Sequence, residues 1–543
     1  MSSGGGWGRS GGSGGGNRRG PQHRRPQQGG NAWDKSQNSR SSDEPNLVVP
    51  EPYINGRHLA YAVLQEYDRS ERFVQDIFAE FDHRHHLSSQ DRALAVDVAS
   101  GVVRRSRTLD VMIESRMTRP RHNVEPDLWR ILRVGAYQLL FARTPEHAAV
   151  DSTVDLCRDL DRSRWTGFVN GVLRNIGRLL SDAPCDGPSQ RSLPTTNGNW
   201  RSLNEAVFAD PTASPAQYIA DAFSLPMFLA ARWCARFMSP ASGRASALRA
   251  DATEQTSAEE NANVLGGLTP CRSPISVSAS ELLTICFQSV TAPSTSLRVN
   301  SMRTNAEDVL AAVTEAGCKA SLGHIDGSIH LDQSVRLESL PGYADGLWSV
   351  QDEAAMSASI LLAPKPGEQI LDMCAAPGGK TTHMAELSND QAHITACDVA
   401  TGRLKRVLDN ASRLQLSSIT PQLIGKDGNS LPDGPFDAIL VDVPCSNTGV
   451  LNRRPEARWR CDESGIRELV LLQTRLLLQA CERIRPGGRI VYSTCSLEPE
   501  ENRGVVDTVL TAMREFKLER EILHLPGQPA DGAYQALLIR QSN

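Results

Sequence analysis

The chain has 543 residues, of which 40% are hydrophobic and 22% are charged, and its formal net charge is −5 at pH 7. This length is enough for two to four domains, and the composition is typical of globular proteins rather than of fibrous or wholly disordered ones. The net charge argues against a uniformly basic nucleic-acid binder, although it is compatible with local basic patches.

The cysteine pattern and the hydropathy pattern restrict the possible environment of the chain. Its twelve cysteines are scattered and form no C-x-x-C pair, so a zinc ribbon or thioredoxin-like redox chemistry has no support and we predict no metal. No apolar run approaches the roughly 18 residues of a membrane helix, and the N-terminus has no apolar signal segment. We therefore predict reduced thiols, a cytoplasmic location and no membrane partner.

The first 46 residues are rich in Gly, Ser, Arg, Asn and Gln and contain almost no apolar side chains. Such a segment buries too little surface to offset the entropy of ordering, so we predict disorder over 1–46. Its arginines are similar to those of RGG-type segments that bind RNA loosely. A tail that only increases solubility is an equally good interpretation.

Helical periodicity dominates residues 52–185. Apolar residues recur at i, i+3, i+4, i+7 and i+11 on one helix face, as in Leu128, Ile131, Leu132, Gly135 and Leu139. The connections between such segments are short, which predicts a compact all-α domain. The runs "VVRRSR" and "RMTRPR" are basic enough to touch phosphates, although a solvated helix face is the commoner explanation of such runs.

Residues 186–345 predict a linker followed by a small α+β module that binds RNA. "SQRSLPTTNGN" is typical of a linker, "LPMFLAARWCARF" of a helix, and the polar stretch 248–267 of a loop. "SLRVNSMRTNAEDVLAAVTEAG" predicts a strand and then a helix that Gly317 ends.

Residues 346–543 alternate between short apolar runs and segments of helical period. The apolar runs are 369–371, 393–397, 436–441 and 489–492, and the helical segments include 401–414 and 464–483. This alternation predicts βαβ units, a parallel sheet of the Rossmann-like α/β class, and ligands at the carboxyl ends of its strands.

A glycine-rich turn follows the first of these runs in "ILDMCAAPGGKTTHMAEL". Gly378 and Gly379 allow the backbone to approach a ligand closely, and the helix that follows offers unpaired N–H groups. A phosphate-binding P-loop is the first alternative, because Gly379, Lys380 and Thr381 fit its end. Cys374 occupies the position of its first glycine, however, which disfavours an ATPase.

Aspartates follow successive elements of the predicted sheet. Asp398 lies about 20 residues beyond the glycines, where an acid accepts hydrogen bonds from both ribose hydroxyls. Asp427 follows the next element and is placed to meet an adenine edge. Each is an ordinary strand-end residue if taken singly, but together with Asp442 they favour an adenosine without a phosphate chain, as in S-adenosylmethionine.

Two cysteines follow neighbouring strand-like runs, Cys445 in "VDVPCSNTGVL" and Cys495 in "IVYSTCSLEPEEN". They are packing residues, metal ligands, a disulfide, or two thiols with different roles in one reaction. A pyrimidine C5 becomes nucleophilic when a thiolate adds to C6, provided that a further group stabilises charge at N3. Asp442 is placed to contact N3 and the exocyclic amine.

The segment "LNRRPEARWR" continues from the first of these cysteines and combines cations with a flat ring. These are Arg453, Arg454, Arg458, Trp459 and Arg460. Cations that pair with phosphates and a ring that stacks on a base suit a flipped or single-stranded nucleotide.

Four motifs, "LDMCAAPGGKT", "VDVPCSNTGV", "RRPEARW" and "YSTCSLEPEEN", closely resemble the RNA (cytosine-5)-methyltransferase family. The helical domain, with "VDSTVDLCRD" and "GFVNGVLRNI", resembles the NusB RNA-binding fold. The combination is similar to the bacterial members that act on 16S ribosomal RNA, and the resemblance covers about 50–185 and 290–540.

The resemblance implies roles for the site residues. Cys495 would attack C6 and Cys445 would help to release the covalent adduct, whereas the residues alone leave the order of the two thiols open, because DNA cytosine methyltransferases use the other cysteine. Asp442 would serve the cofactor, the base, or both. The S-adenosylmethionine site would comprise Cys374, Ala375, Ala376, Pro377, Gly378, Gly379, Lys380, Asp398, Asp427 and Asp442.

RNA, most simply 16S rRNA, is the predicted partner of a monomeric enzyme. A transfer RNA methyltransferase and a catalytically silent RNA-binding assembly factor are the alternatives. The two thiols together with Asp442 argue against the silent factor, since a scaffold needs neither thiol.

Overall fold

The computed structural model describes residues 55–70, 72–82, 87–238, 279–332, 335–426, 428–527 and 530–542, all within one unit that spans 49–543. The predicted disordered tail, the predicted polar loop at 248–267 and Asp427 lie outside the described residues. Among the helices that are described, none combines the length and the apolar character needed to cross a membrane.

Seven α-helices make up the described chain before residue 180. They are α1 Gly56–Arg69, α2 Val74–Asp82, α3 Ser89–Arg104, α4 Ser106–Glu114, α5 Pro126–Leu140, α6 Glu146–Asp159 and α7 Thr166–Gly177. The apolar face predicted from the sequence is buried in α5, which packs against α1, α3, α4, α6 and α7. The predicted all-α fold of this part is confirmed.

A small antiparallel sheet and three helices follow. The strands β1 Leu180–Ser181, β2 Ser192–Pro194 and β3 Trp200–Leu203 pair in the order β1-β3-β2, and the helices are α8 Pro215–Ala222, α9 Met227–Phe237 and α10 Ala279–Val290. The prediction of a linker over 189–199 is wrong, because β2 lies inside it and Leu193 is fully buried. The polar residues around Leu193 conceal a short buried strand.

A second antiparallel sheet holds the strands in the order β5-β6-β4-β7. Its elements are β4 Thr295–Val299, α11 Ala306–Glu315, β5 Ala320–Leu322, β6 Ser328–Leu331 and β7 Trp348–Val350. The predicted strand and helix are confirmed as β4 and α11. Gly317 follows α11 with φ +86°, a conformation that glycine adopts without steric cost.

A seven-stranded mixed sheet occupies the C-terminal part, with the order β10-β9-β8-β11-β12-β14-β13. Its strands are β8 Gln369–Asp372, β9 His393–Asp398, β10 Ile419–Leu423, β11 Phe436–Asp442, β12 Ile484–Thr494, β13 Phe516–His524 and β14 Ala533–Arg540. The helices are α12 Glu353–Leu362, α13 Gly379–Leu387, α14 Thr401–Arg413, α15 Ala457–Arg460, α16 Glu463–Arg483 and α17 Arg503–Ala512.

The sheet confirms the predicted α/β class and corrects one detail. Strands β8 to β12 are parallel, as predicted, but β14 runs antiparallel to both β12 and β13. The connection 525–532 between β13 and β14 is too short for the crossover that parallel neighbours need, so those two strands form a hairpin.

One buried cation joins the seven-stranded sheet to the N-terminal helices. Arg458 is 0% exposed, and its guanidinium donates to the backbone carbonyl oxygens of Arg104, Ser224, Ser289 and Leu451. Burial, together with the charges of Arg104 and Arg105, lowers the pKa of Arg458 to about 9, so the group is still a cation at neutral pH. These hydrogen bonds replace the water that the cation loses on burial.

We expect Arg458→Met to lower the free energy of unfolding by about 3–5 kcal/mol, because the buried carbonyl oxygens around it would lose their donor. Urea denaturation of the full-length chain measures the change. The matched control is Arg467→Met, since the Arg467 side chain is 69% exposed and its loss should change stability by no more than about 0.5 kcal/mol. Equal denaturation midpoints for the two variants would contradict this role of Arg458.

Candidate functional site

The candidate site lies at the carboxyl ends of β8, β9, β11 and β12. The chain passes from β8 to β9 on one side and later returns to β11 on the other side of β8, so the strand order reverses there. Parallel α/β sheets bind ligands at such a reversal. The site residues that were predicted from the sequence and that the structure describes lie at these four strand ends or shortly after them.

The glycine turn between β8 and α13 is held in a fixed shape by the sheet. The backbone N–H of Ala375 donates to the carbonyl oxygen of Cys397 at 2.8 Å, which ties the turn to β9. Gly378 has φ +105°, and a Cβ atom built there would lie 3.0 Å from the Cα atom of Val407. A larger residue at 378 would therefore be strained and would push α14 away.

Asp372, the last residue of β8, stabilises the same turn, a role that was not predicted from the sequence. Its carboxylate accepts a hydrogen bond from the Thr381 hydroxyl at 2.7 Å, across the turn to the first residues of α13. Burial, with a further contribution from the charge of Asp442, raises the pKa of Asp372 to about 7. The sequence does contain a signal for this role, because in "ILDMC" an aspartate ends an apolar run directly before the turn.

Two predicted acids line the site on either side of the glycine turn. Asp398 ends β9 and is 3% exposed; its carboxylate accepts from the Ala400 N–H at 3.2 Å and lies 3.3 Å from the Arg403 guanidinium. Asp442 ends β11, and its Oδ2 lies 2.7 Å from the Lys380 Nζ. The predicted role of Asp427 stays a prediction, because that residue is outside the described part of the chain.

The two cysteines meet across the ends of β11 and β12. These strands are parallel with Asp442 opposite Ser493, so the first cysteine loop (443–450) and the second cysteine loop (494–498) lie side by side. The Sγ atoms of Cys445 and Cys495 are 3.1 Å apart. That is a hydrogen-bond distance and is far longer than the roughly 2.05 Å of a disulfide.

The environments of the two thiols differ. Cys445 is 9% exposed, whereas Cys495 is half-buried and also approaches the Asn447 Oδ1 at 3.3 Å. The hydrogen bond with Cys495, followed by burial, raises the pKa of Cys445 well above its ordinary value. Cys445 is therefore a neutral thiol that can donate a hydrogen bond to the Cys495 sulfur.

The charge of Lys380 interacts with the second of these cysteines. Burial opposes the charge on Lys380, but Asp442 and Cys495 outweigh it and raise the pKa of Lys380. The ammonium therefore persists at neutral pH, 2.7 Å from the Asp442 carboxylate.

Glu501 holds the two cysteine loops together, although "LEPEEN" gives no sign of which of its acids does so. Glu501 is 0% exposed, and its carboxylate accepts from the Ser446 N–H at 2.8 Å and from the Gln473 amide at 3.0 Å. The hydroxyls of Ser446 and Ser496 donate to it as well. One carboxylate thus bridges the residue after each cysteine.

We expect Glu501→Gln to lower the free energy of unfolding by about 2–3 kcal/mol, because an amide supplies one acceptor oxygen where four donors converge and turns its own donors toward them. Urea denaturation measures the loss. Glu500 is the matched control, because its side chain is 51% exposed and pairs with Arg232 at the surface, so Glu500→Gln should cost about 1 kcal/mol or less. If the two variants are equally stable, the bridging role is wrong.

The segment 452–460 is placed differently from the sequence prediction. Arg458 is buried against the N-terminal helices, so the prediction that it contacts RNA is wrong, and the Trp459 indole donates to the Val103 carbonyl oxygen at 3.1 Å. Arg453 pairs with Asp352 and Asp531. Arg454 and Arg460 are exposed. The segment therefore docks on the N-terminal helices and leaves only some of its cations for a ligand.

Arg454 is the cation of this segment that reaches the site. Its guanidinium lies 3.4 Å from the Asn447 Oδ1, the atom that also contacts Cys495. An exposed guanidinium at this position can pair with a phosphate of a nucleotide whose base enters the thiol site.

The residues present fit an adenosine cofactor without a phosphate chain. Asp398 offers a carboxylate at the end of the second strand, and Lys380 is already paired with Asp442. A phosphate-binding loop needs its lysine free for the ligand, so this pairing disfavours a nucleotide triphosphate.

Comparison with known proteins matches both parts of the chain. The sequence profile of the family described as "16S rRNA methyltransferase RsmB/F" matches residues 359–537, and that of the "NusB family" matches 55–178.

Curated relatives match over most of the chain. A "Probable ribosomal RNA small subunit methyltransferase B" of Synechocystis sp. is 31% identical over 471 residues, which cover 86% of this chain and 91% of the relative. A "Ribosomal RNA small subunit methyltransferase B" of Salmonella paratyphi C is 31% identical over 466 residues, 84% of this chain and 92% of the relative.

One solved structure, titled "Crystal Structure of PH0851", superimposes with a TM-score of 0.63 at 21% identity and covers 89% of this chain and 98% of its own. At that identity the similarity concerns the fold alone.

Proposed function

We propose, from the premise that the chain belongs to the RsmB/F family of 16S rRNA methyltransferases, that it methylates carbon 5 of a cytosine in small-subunit ribosomal RNA with S-adenosylmethionine as the methyl donor. The resemblance noted in the sequence is confirmed by the family match. The proposal for the chemistry depends chiefly on one observation, the 3.1 Å contact between the thiols of Cys445 and Cys495.

Cys495 is the proposed nucleophile. It is the more exposed of the two thiols, and its sulfur lies 3.1 Å from the Cys445 thiol. Addition of its sulfur to C6 forms a C–S bond and moves the electron pair of the C5–C6 double bond onto C5, with the charge shared by N3. S-adenosylmethionine supplies, when bound, an electrophilic methyl group for the carbon that this addition activates.

Asp442 and Lys380 are proposed to position the reactants. Lys380 holds Asp442 in place at 2.7 Å, so that the free carboxylate oxygen can accept from the exocyclic amine of a cytosine or from the cofactor. The glycine turn at 374–380 and Asp398 are proposed to hold the adenosine part of the cofactor. Asp427 keeps the role that the family resemblance implies for it.

Cys445 is proposed to complete the reaction. The pKa of Cys445 is raised first by its hydrogen bond with Cys495 and next by burial, and that hydrogen bond weakens when the Cys495 sulfur becomes a thioether. Cys445 can then release its proton to solvent and, as a thiolate, take the proton from C5. The electron pair of the C5–H bond re-forms the C5–C6 double bond, and the C6–S bond breaks to return Cys495 as a thiolate.

The proposal predicts that the purified chain transfers tritiated methyl groups from S-adenosylmethionine to small-subunit ribosomal RNA, and that nucleoside mass spectrometry finds the label in 5-methylcytidine. Naked 16S rRNA, the 30S particle and unfractionated transfer RNA are offered in parallel. Label confined to transfer RNA would favour the transfer RNA alternative. No transfer to any of the three, with cofactor binding intact, would favour the silent assembly factor. The monomeric state, the cytoplasmic location and the bounds of the four predicted segments stay predictions.

A further inference from the structure

Three side chains that could bind a metal converge outside the cysteine site, between the four-stranded sheet and the start of α12. His324 lies in the turn between β5 and β6, His330 lies in β6, and Glu353 is the first residue of α12. One ligand atom from each lies within 4.8 Å of the others. We propose that this trio binds a divalent transition metal ion of the zinc class, which clamps the β5–β6 turn onto α12.

The buried carboxylate of Glu353 carries the first argument. Its side chain is 2% exposed, and its Oε1 accepts from the N–H groups of His324 at 2.6 Å and Ile325 at 3.2 Å. Its Oε2 is buried and has no hydrogen-bond donor, yet it lies 3.6 Å from the His324 Nδ1. A buried carboxylate oxygen without a donor is unfavourable, and a cation bound by the facing imidazole would supply its partner.

The spacing of the three groups carries the second argument. The His330 Nε2 lies 3.3 Å from Glu353 Oε1, and the His324 Nδ1 lies 3.6 Å from Glu353 Oε2. Ligand atoms about 2.0–2.2 Å from a tetrahedral zinc ion lie roughly 3.3–3.5 Å apart, and each imidazole nitrogen lies near that distance from one of the two carboxylate oxygens. Two histidines and one glutamate also form a ligand set that zinc takes when its fourth position is left to water.

The surroundings complete the site. The His330 Nδ1 lies 3.1 Å from the Ser296 hydroxyl, the kind of outer contact that fixes the ring orientation of a metal-bound histidine. The His324 side chain is 69% exposed, which gives an ion a route from solvent and leaves a coordination position open to water.

No local pattern in the sequence indicates this site, and the prediction of no metal rested on the absence of clustered cysteines. His324 and His330 are separated by five residues, and Glu353 follows much later on a different element, so no motif of short spacing exists. Only the pairing of β5 with β6, together with the packing of α12 against this turn, brings the three together.

Zinc binding by the full-length chain tests this proposal. Because the thiols of Cys445 and Cys495 lie close enough to hold zinc themselves, the measurements use a Cys445→Ala/Cys495→Ala background. Titration with ZnCl2 against a chromophoric chelator should give one equivalent per chain, and His324→Ala should weaken its affinity at least about tenfold. His147 is exposed on α6, and His147→Ala is the matched control that should bind as the parent does.

A second measurement separates a built site from adventitious zinc. Cobalt(II) in a tetrahedral N/O site gives intense visible absorption, so the parent and His147→Ala should develop the band with CoCl2 while His324→Ala and Glu353→Gln should not. Equal zinc affinity in all four proteins, or no band in the parent, would overturn the proposal. Neither readout depends on methyl transfer, so the outcome is independent of the proposed function.

Discussion

Cys495→Ala should lower methyl transfer to RNA at least about a thousandfold, because it removes the sulfur that is proposed to form the bond to C6. The affinity for S-adenosylmethionine should change by no more than about twofold, since the proposed cofactor contacts come from the glycine turn and the strand-end acids. Tritium incorporation into RNA measures the first quantity, and equilibrium dialysis of labelled cofactor measures the second.

The control for this prediction is Cys185→Ala. Cys185 is half-buried in the connection between β1 and β2, where its thiol lies 3.0 Å from the Ser192 hydroxyl, and its loss should leave methyl transfer intact. Substantial turnover by the Cys495→Ala protein would remove Cys495 from the role of nucleophile. A large loss of cofactor affinity would instead show that the substitution disturbs the neighbouring glycine turn.

Cys445→Ala should accumulate a covalent protein–RNA species that survives denaturing electrophoresis. Without the second thiol, the C5 proton has no base at 3.1 Å from the reacting sulfur, so the C6–S bond persists after the methyl group has been transferred. The species should require S-adenosylmethionine and should be absent from the Cys445→Ala/Cys495→Ala double variant.

The wild-type chain under the same conditions should show little of this species. Its accumulation by the Cys495→Ala variant, with Cys445 intact, would reverse the order of the two thiols and place the nucleophile on the first cysteine loop.

The central residues of the site could be predicted from the sequence because they lie at strand ends or directly after them. Once the parallel strands β8, β9, β11 and β12 are predicted from their apolar runs, their carboxyl ends must share one edge. The glycine turn, Asp398, Asp442 and the two cysteines are then expected together, and the structure places them there. The order of the thiols came from the family resemblance, because the distance between the two sulfur atoms is the same whichever of them attacks.

The residues that hold the site together could not be predicted from the sequence in the same way. "LEPEEN" contains three glutamates, and only the packing of α16 and the first cysteine loop against Glu501 distinguishes it from the exposed Glu500. Arg454 and Arg458 look alike in the sequence, yet one is exposed and the other is buried under the N-terminal helices. Contacts between residues hundreds of positions apart have no local sequence signal.

Short strands in polar surroundings were a second source of error. Leu193 is the only apolar residue between two polar stretches, so its burial in β2 depends on pairing with β3 rather than on any alternation of its own. The hairpin of β13 and β14 differs from the predicted parallel arrangement for a similar reason, since its antiparallel direction follows from the length of its connection and not from the composition of its strands.

The identity of the residue bonded to RNA tests the central claim most directly. The covalent species from Cys445→Ala is digested with nuclease and protease, and the peptides are sequenced by tandem mass spectrometry. We predict a methylated cytidine nucleotide attached to the sulfur of Cys495. A nucleotide attached to any other residue, or an unmodified Cys495 peptide from a gel band that contains RNA, would contradict the claim.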